Sequence, residues 1–181
     1  MNGSGLKAVF FDFDSTISTP IFIERAQKWA VADNVALFQQ MDSTERVANL
    51  GGAERIAKLR TLFDALYNSD VALFIVSIGH RKAFVPHLHD VGLLGFFEQS
   101  RVYGQDSDEL RAVNFVKGKL IEQIMQKHGW RVQDVIFVDD SWDHIQGAHS
   151  VCRTLHVVSR KGMTDEQMSG IQQAAFGVPP S

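Results

Sequence analysis

The sequence predicts an α/β protein: an open, mainly parallel sheet flanked by helices, with a small helical piece inserted after the first strand. Three observations lead there. Short apolar runs alternate with stretches whose apolar residues recur every three or four positions. The runs are continuous and rich in β-branched and aromatic residues, as in strands buried on both faces. Three of them end in carboxylate or hydroxyl residues, and an open parallel sheet gathers such strand ends at one edge.

The first run, Lys7 to Phe11, ends at Asp12. The second, Val71 to Val76, ends at Ser77, and the third, Val135 to Val138, ends at Asp139. Thr154 to Val158 reads as a fourth strand and Arg101 to Tyr103 as a short fifth. Ala53 to Tyr67 places Ile56, Leu59, Leu62, Phe63 and Leu66 on one helical face. Val113 to His128 does so with Phe115, Leu120, Ile124 and Met125, and Gly129 closes it. Trp142 to Val151 and Thr164 to Ala175 complete the helices, and the crossovers should be right-handed. Residues 18–52 are too many for a simple strand-to-helix connection. Glu24 to Val31 and Val35 to Met41 carry helical patterns, so 18–52 is expected as a small cap or flap, with Gly51-Gly52 as its hinge or turn. Residues 1–181 otherwise form a single expected domain, with a loose tail from Gly177.

Composition narrows the function. Of 181 residues, 45% are hydrophobic and 22% charged, which excludes disorder as the main state. A net charge of −3, with basic pairs only at Arg81-Lys82 and Arg160-Lys161, argues against a nucleic-acid partner. The single cysteine, Cys152, forms no internal disulfide and no Cys-rich zinc site, and is expected as a packed small residue. No run approaches the roughly 20 apolar residues of a membrane helix. The expectation is a soluble, cytoplasmic protein without a membrane partner, although a receptor-read export signal would escape this arithmetic.

Folding brings Asp12, Asp14, Asp139 and Asp140 to one edge beside Ser77. Four anions in one crevice repel one another, and a divalent cation relieves this. All-oxygen ligands favour a hard ion, and Mg²⁺ suits carboxylates shared with water and a phosphate. Lys117 or Lys119, near the start of the helix before the third strand, could hold that phosphate.

These residues carry a resemblance. Phe11-Asp12-Phe13-Asp14-Ser15-Thr16, strand-end Ser77, Lys117 and Val138-Asp139-Asp140-Ser141 resemble, in order, the four motifs of the haloacid dehalogenase superfamily. The match spans residues 6–145. The resemblance implies a Rossmann-like body and Mg²⁺-dependent hydrolysis of a phosphate monoester through an aspartyl-phosphate. It implies Asp12 as nucleophile and Asp14 as general acid and base. Ser77, Thr16 and the backbone of Ile78 and Gly79 would hold the phosphoryl oxygens. Lys117 would neutralise charge, with Lys119 as the fallback. Asp12, Asp14 through its carbonyl, and Asp140 would bind the metal, supported by Asp139. The family often has Asp or Asn four positions after Asp140, where this chain has His144; Asp143 could substitute.

In the family this chain resembles, a small cap that leaves the crevice open often accompanies extended substrates, so the resemblance implies a phosphoprotein, with a small phosphometabolite or a non-catalytic binding module as alternatives. His80-Arg81-Lys82 reads equally as a substrate contact or a helix start. His87 and His89 are two apart and diverge on a helix, which argues against a zinc site. Trp29 is expected to pack the cap on the body.

Overall fold

The computed structural model describes residues 5–27, 30 and 33–177. Trp29 lies outside the described residues. Five strands form one wholly parallel sheet: β1 (Ala8–Phe11), β2 (Ala72–Val76), β3 (Val102–Tyr103), β4 (Val135–Asp139) and β5 (Arg153–His156). Their spatial order is β3-β2-β1-β4-β5. The order reverses at β1, so the chain turns outward in opposite directions on either side of that strand. The crevice beside such a reversal is where open sheets bind ligands.

The continuous apolar runs are explained by two cores, one on each face. Successive side chains of a strand point to opposite faces. From β1, Val9 and Phe11 join α4 (Ala53–Asn68), while Ala8 and Phe10 face the other way. The first core contains Leu59, Leu62, Phe63 and Leu66 of α4, with Met168 and Ile171 of the last helix. The second contains Leu120, Ile121 and Ile124, with Phe137 and Cys152. Cys152 is thus the packed residue expected, and burial pushes its thiol up to about 12.

Among the described residues, three short helices precede α4: α1 (Pro20–Ala26), α2 (Asn34–Gln40) and α3 (Ser43–Asn49). The first begins four residues earlier than expected, and the third was not foreseen. The missed signal is a capping box, in which Asp42 accepts from the Glu45 N–H and Glu45 accepts from the Asp42 N–H. Gly51 and Gly52, both at φ 89°, then make a left-handed turn into α4. Phe22, Ala26, Leu37 and Met41 pack with Ala83 of α5 (Arg81–Asp90). Of the two readings of His80-Arg81-Lys82, the helix start is the one seen, with His80 as the cap; Pro86, His87 and His89 obscure the apolar face of the helix that follows. His87 is fully buried against the Phe22 and Phe38 rings, whereas the His89 side chain is exposed.

One correction bears directly on the site. The helix expected from Val113 begins only at Lys117, as α7 (Lys117–His128), and a separate short helix, α6 (Asp108–Ala112), precedes it. Asn114 and Phe115 between them take φ 53° and 61°, and Phe115 is exposed rather than on a core face. The turn makes Lys117 the first residue of α7. Helix α8 (Trp142–Ala148) is three residues shorter than expected, β5 runs Arg153–His156 rather than 154–158, and α9 (Asp165–Ala175) closes the fold.

Candidate active site

The C-terminal ends of β1, β2 and β4 supply the polar cluster. The Asp12 N–H donates to the Val138 carbonyl (2.9 Å), which pins the end of β1 to β4. A single wide turn, Phe13–Ile17, follows. Asp14 is extended within it, Ser15 is left-handed at φ 57°, and the Ser15 N–H donates to Ser18 Oγ. The Thr16 hydroxyl donates to Asp12 Oδ2 at 3.4 Å. Thr16 is fully buried, beside Asp12 at the end of β1.

Lys117 reaches this edge and Lys119 is exposed. The Lys117 ammonium donates to Asp12 Oδ1 (2.8 Å) and Asp139 Oδ2 (2.7 Å), with all three side chains buried. Gly118 explains the approach. A Cβ there would strike the Gly147 carbonyl of α8, so only glycine lets α7 press so close and deliver Lys117 into the crevice. Burial works against the lysine charge, but Asp12 and Asp139 outweigh it and raise its pKa. Burial likewise opposes the Asp139 charge; Lys117 and His144 overcome it and hold that carboxyl below the ordinary range. Asp12 is pushed well up, first by burial and then by Asp139 and Asp14, against the pull of Lys117.

Asp139 is a crowded acceptor. Besides Lys117 it receives the Ser141 N–H (2.7 Å) and lies 3.2 Å from His144 Nδ1. His144 therefore contacts the cluster, while Asp143 is exposed. Asp140 is held on the other side: Arg160 Nε donates to its Oδ2 (2.8 Å), and its carbonyl lies 3.1 Å from His156 Nε2. Neither contact was foreseen, since nothing local in the sequence marks a residue that returns from another strand.

Asp14 and Ser77 flank one small gap. A Cβ added to Gly79 would lie 3.1 Å from Asp14 Oδ2 and 3.2 Å from Ser77 Oγ. The Gly79 N–H donates to Ser77 Oγ, and the Ser77 N–H to the Tyr103 carbonyl, which keeps the end of β2 in place. Ile78 is half-buried beside the second core. Asp14 Oδ1 is buried with no hydrogen-bond partner. Burial, reinforced by Asp140 and opposed by Lys117, raises the Asp14 carboxyl to about 6. Its environment therefore favours a proton in a way that exposed carboxylates do not.

A divalent cation suits the donors present. Asp12, Asp139 and Asp140 offer carboxylate oxygens within 4.8 Å of one another. All three donors are oxygen, so the set favours a hard cation. Lys117 and Arg160 bring two positive charges to these three carboxylates and the nearby Asp14, and a divalent cation would complete the balance.

Comparison with known proteins shows the family and the fold. The family model for haloacid dehalogenase-like hydrolases matches residues 21–157. The chain belongs to that family. The match begins after Asp12 and Asp14, so their place at the end of β1 rests on the structure. A haloacid dehalogenase-like family hydrolase from Streptococcus pneumoniae is 18% identical, with TM-score 0.55 over 92% of this chain and 91% of that one. A phosphatase of the same superfamily from Thermococcus onnurineus is also 18% identical, with TM-score 0.50 over 84% and 86%. The cobalt-bound deoxy-D-mannose-octulosonate 8-phosphate phosphatase of Haemophilus influenzae is 12% identical, with TM-score 0.53 over 96% and 91%. Dehalogenases share the fold too, so the fold alone does not choose the bond that breaks. No curated protein matches the sequence. Among the described residues, no helix is long and apolar enough to cross a membrane.

Proposed function

We propose that this protein is a Mg²⁺-dependent phosphatase that hydrolyses a phosphate monoester through an aspartyl-phosphate on Asp12. The observation that carries the reading is the Asp14 carboxyl beside Ser77 and Gly79, raised to about 6 with one buried oxygen unpartnered. A hydrolase that forms an enzyme ester from a phosphate needs a proton for the leaving oxygen, and Asp14 is tuned to supply it.

Asp12, Asp140 and the carbonyl of Asp14 would hold the ion, which when bound supplies positive charge against the phosphoryl oxygens. Asp139, already saturated by Lys117, Ser141 and His144, orients the lysine. Lys117 holds Asp12 by Oδ1 and leaves Oδ2, under the longer Thr16 bond, as the freer oxygen. Asp12 attacks phosphorus as the bond to the leaving oxygen breaks, and Asp14 gives that oxygen its proton. Ser77 and the nearby backbone N–H groups steady the phosphoryl oxygens. Asp14, now ionised, takes a proton from water, whose oxygen attacks phosphorus and frees the Asp12 carboxylate.

The short α1–α3 insertion, acting as a cap, favours an extended substrate such as a phosphoprotein. A groove of about 870 Å³ along α5 and the segment leading into β3 supports this, lined by Arg81, Lys82, Val85, Leu94, Phe97 and Val102 among others. Arg81 stands two residues from Gly79, so a chain anchored by its phosphate has room to lie there.

The test is hydrolysis of an aryl phosphate by wild type with Mg²⁺, with EDTA, and by Asp12→Asn. Turnover only in the first supports the reading. Equal turnover by Asp12→Asn, or none by folded, Mg²⁺-loaded wild type on aryl phosphate, phosphopeptides and phosphometabolites alike, overturns it.

A further inference from the structure

Arg160 lies on the loop between β5 and α9, at φ 54°. That loop is tied to both aspartate-bearing segments. The Val157 N–H donates to the Asp139 carbonyl, the Gly162 N–H to that of Ser15, and the Met163 N–H to that of Thr16. The Arg160 side chain is 71% exposed, while the Asp140 side chain it pairs with is only 9% exposed. The guanidinium therefore reaches in from solvent to a carboxylate of the metal cluster. The other two carboxylates, Asp12 and Asp139, share Lys117, whose side chain is 1% exposed and has nowhere to go.

We propose that Arg160 is a displaceable counter-ion for the metal site. The guanidinium and a divalent cation compete for Asp140, so cation binding releases Arg160 into solvent and cation loss brings it back. The inference rests on the reading of Asp140 as a metal ligand. Two cations close to one carboxylate repel each other, and the partner held less firmly by burial gives way first. Lys117 is buried between two carboxylates and cannot. Arg160 can, because a largely exposed partner regains water when it leaves, and such a pair is weak and salt-screened. Arg160 thus holds metal affinity below what the carboxylates alone would give, and keeps Asp140 neutralised when the site carries no ion.

The test is calorimetric titration of the whole protein with Mg²⁺, comparing wild type, Arg160→Ala and Lys161→Ala. Lys161 is the neighbouring residue with the same charge. At low salt Arg160→Ala should lower the Mg²⁺ Kd by about two- to five-fold, with Lys161→Ala changing it much less. The difference should shrink as salt is raised. Thermal unfolding is the second readout: Arg160→Ala should melt below wild type in EDTA and level with it in saturating Mg²⁺. An unchanged Kd in Arg160→Ala, or equal tightening by Lys161→Ala, overturns the counter-ion role while leaving the metal site standing. Failure of wild type to bind Mg²⁺ at all overturns the metal reading itself, and the counter-ion with it.

Discussion

Lys117 Nζ lies 2.7 Å from Asp139 Oδ2, with the lysine side chain 1% exposed and the aspartate not exposed at all. The ammonium also holds Asp12, so a single buried cation joins the end of β1 to the end of β4. Breaking a buried pair by removing one partner leaves charge without compensation. Lys117→Met should therefore destabilise the metal-free protein by about 3 kcal/mol in urea unfolding, and abolish phosphatase turnover. Saturating Mg²⁺ should recover part of the stability and none of the activity.

Asp14 presents the opposite balance. Its Oδ1 is buried without a partner, so the carboxylate is held at the expense of stability. Asp14→Asn should eliminate turnover of an aryl phosphate yet raise the stability of the metal-free protein at pH 8 by about 1 kcal/mol. Equal or lower stability in thermal melts would show that the orphaned oxygen is not a strain on the fold.

His87 makes stability depend on pH. Asn49 Nδ2 lies 3.0 Å from its Nε2, and the Ala83 carbonyl lies 3.0 Å from its Nδ1. An amide N–H donates and a carbonyl accepts, so the ring is neutral with its proton on Nδ1. Burial, with Arg46 nearby, lowers its pKa to about 4 against the raising pulls of the Ala83 carbonyl and Asp90. Between pH 6.5 and 4 the unfolded chain binds a proton that the folded one refuses. Stability should fall as pH drops through that window, by on the order of 3 kcal/mol. Denaturant titrations from pH 7 to 4 should show a smaller fall in His87→Leu, and an unchanged fall would assign the effect to other groups.

Arg55, on the first turn of α4, clamps four carbonyls: Thr16 and Ile17 of the Phe13–Ile17 turn, Leu50 before the paired glycines, and Met163 of the Arg160 loop. A lysine has the charge but not the planar fork. Arg55→Lys should destabilise by about 2 kcal/mol through unsatisfied buried carbonyls. It should also lower kcat more than it changes KM, since the turn carrying Asp14 loses its anchor. Gly162→Ala should act in the same direction, because a Cβ at φ 91° would press on Arg55 and the Ser18 carbonyl.

Much of this protein is written locally. The runs ending at Asp12, Ser77 and Asp139 became β1, β2 and β4, because uninterrupted apolar residues can be buried only between two helical layers. Strand ends of a parallel sheet share an edge, so the carboxylate cluster followed from the strands alone. Local pattern failed where geometry depends on where a helix begins. The side-chain direction turns about 100° per residue, so the choice of Lys117 over Lys119, and of His144 over Asp143, waited on the left-handed turn at Asn114-Phe115 and on Gly118 meeting Gly147. Arg160 and Arg55 were out of reach for a different reason. Their partners stand 20 residues away at Asp140, and up to 108 residues away at Met163. Such pairs exist only once the loop after β5 has folded back over the Phe13–Ile17 turn, and tertiary packing alone decides that.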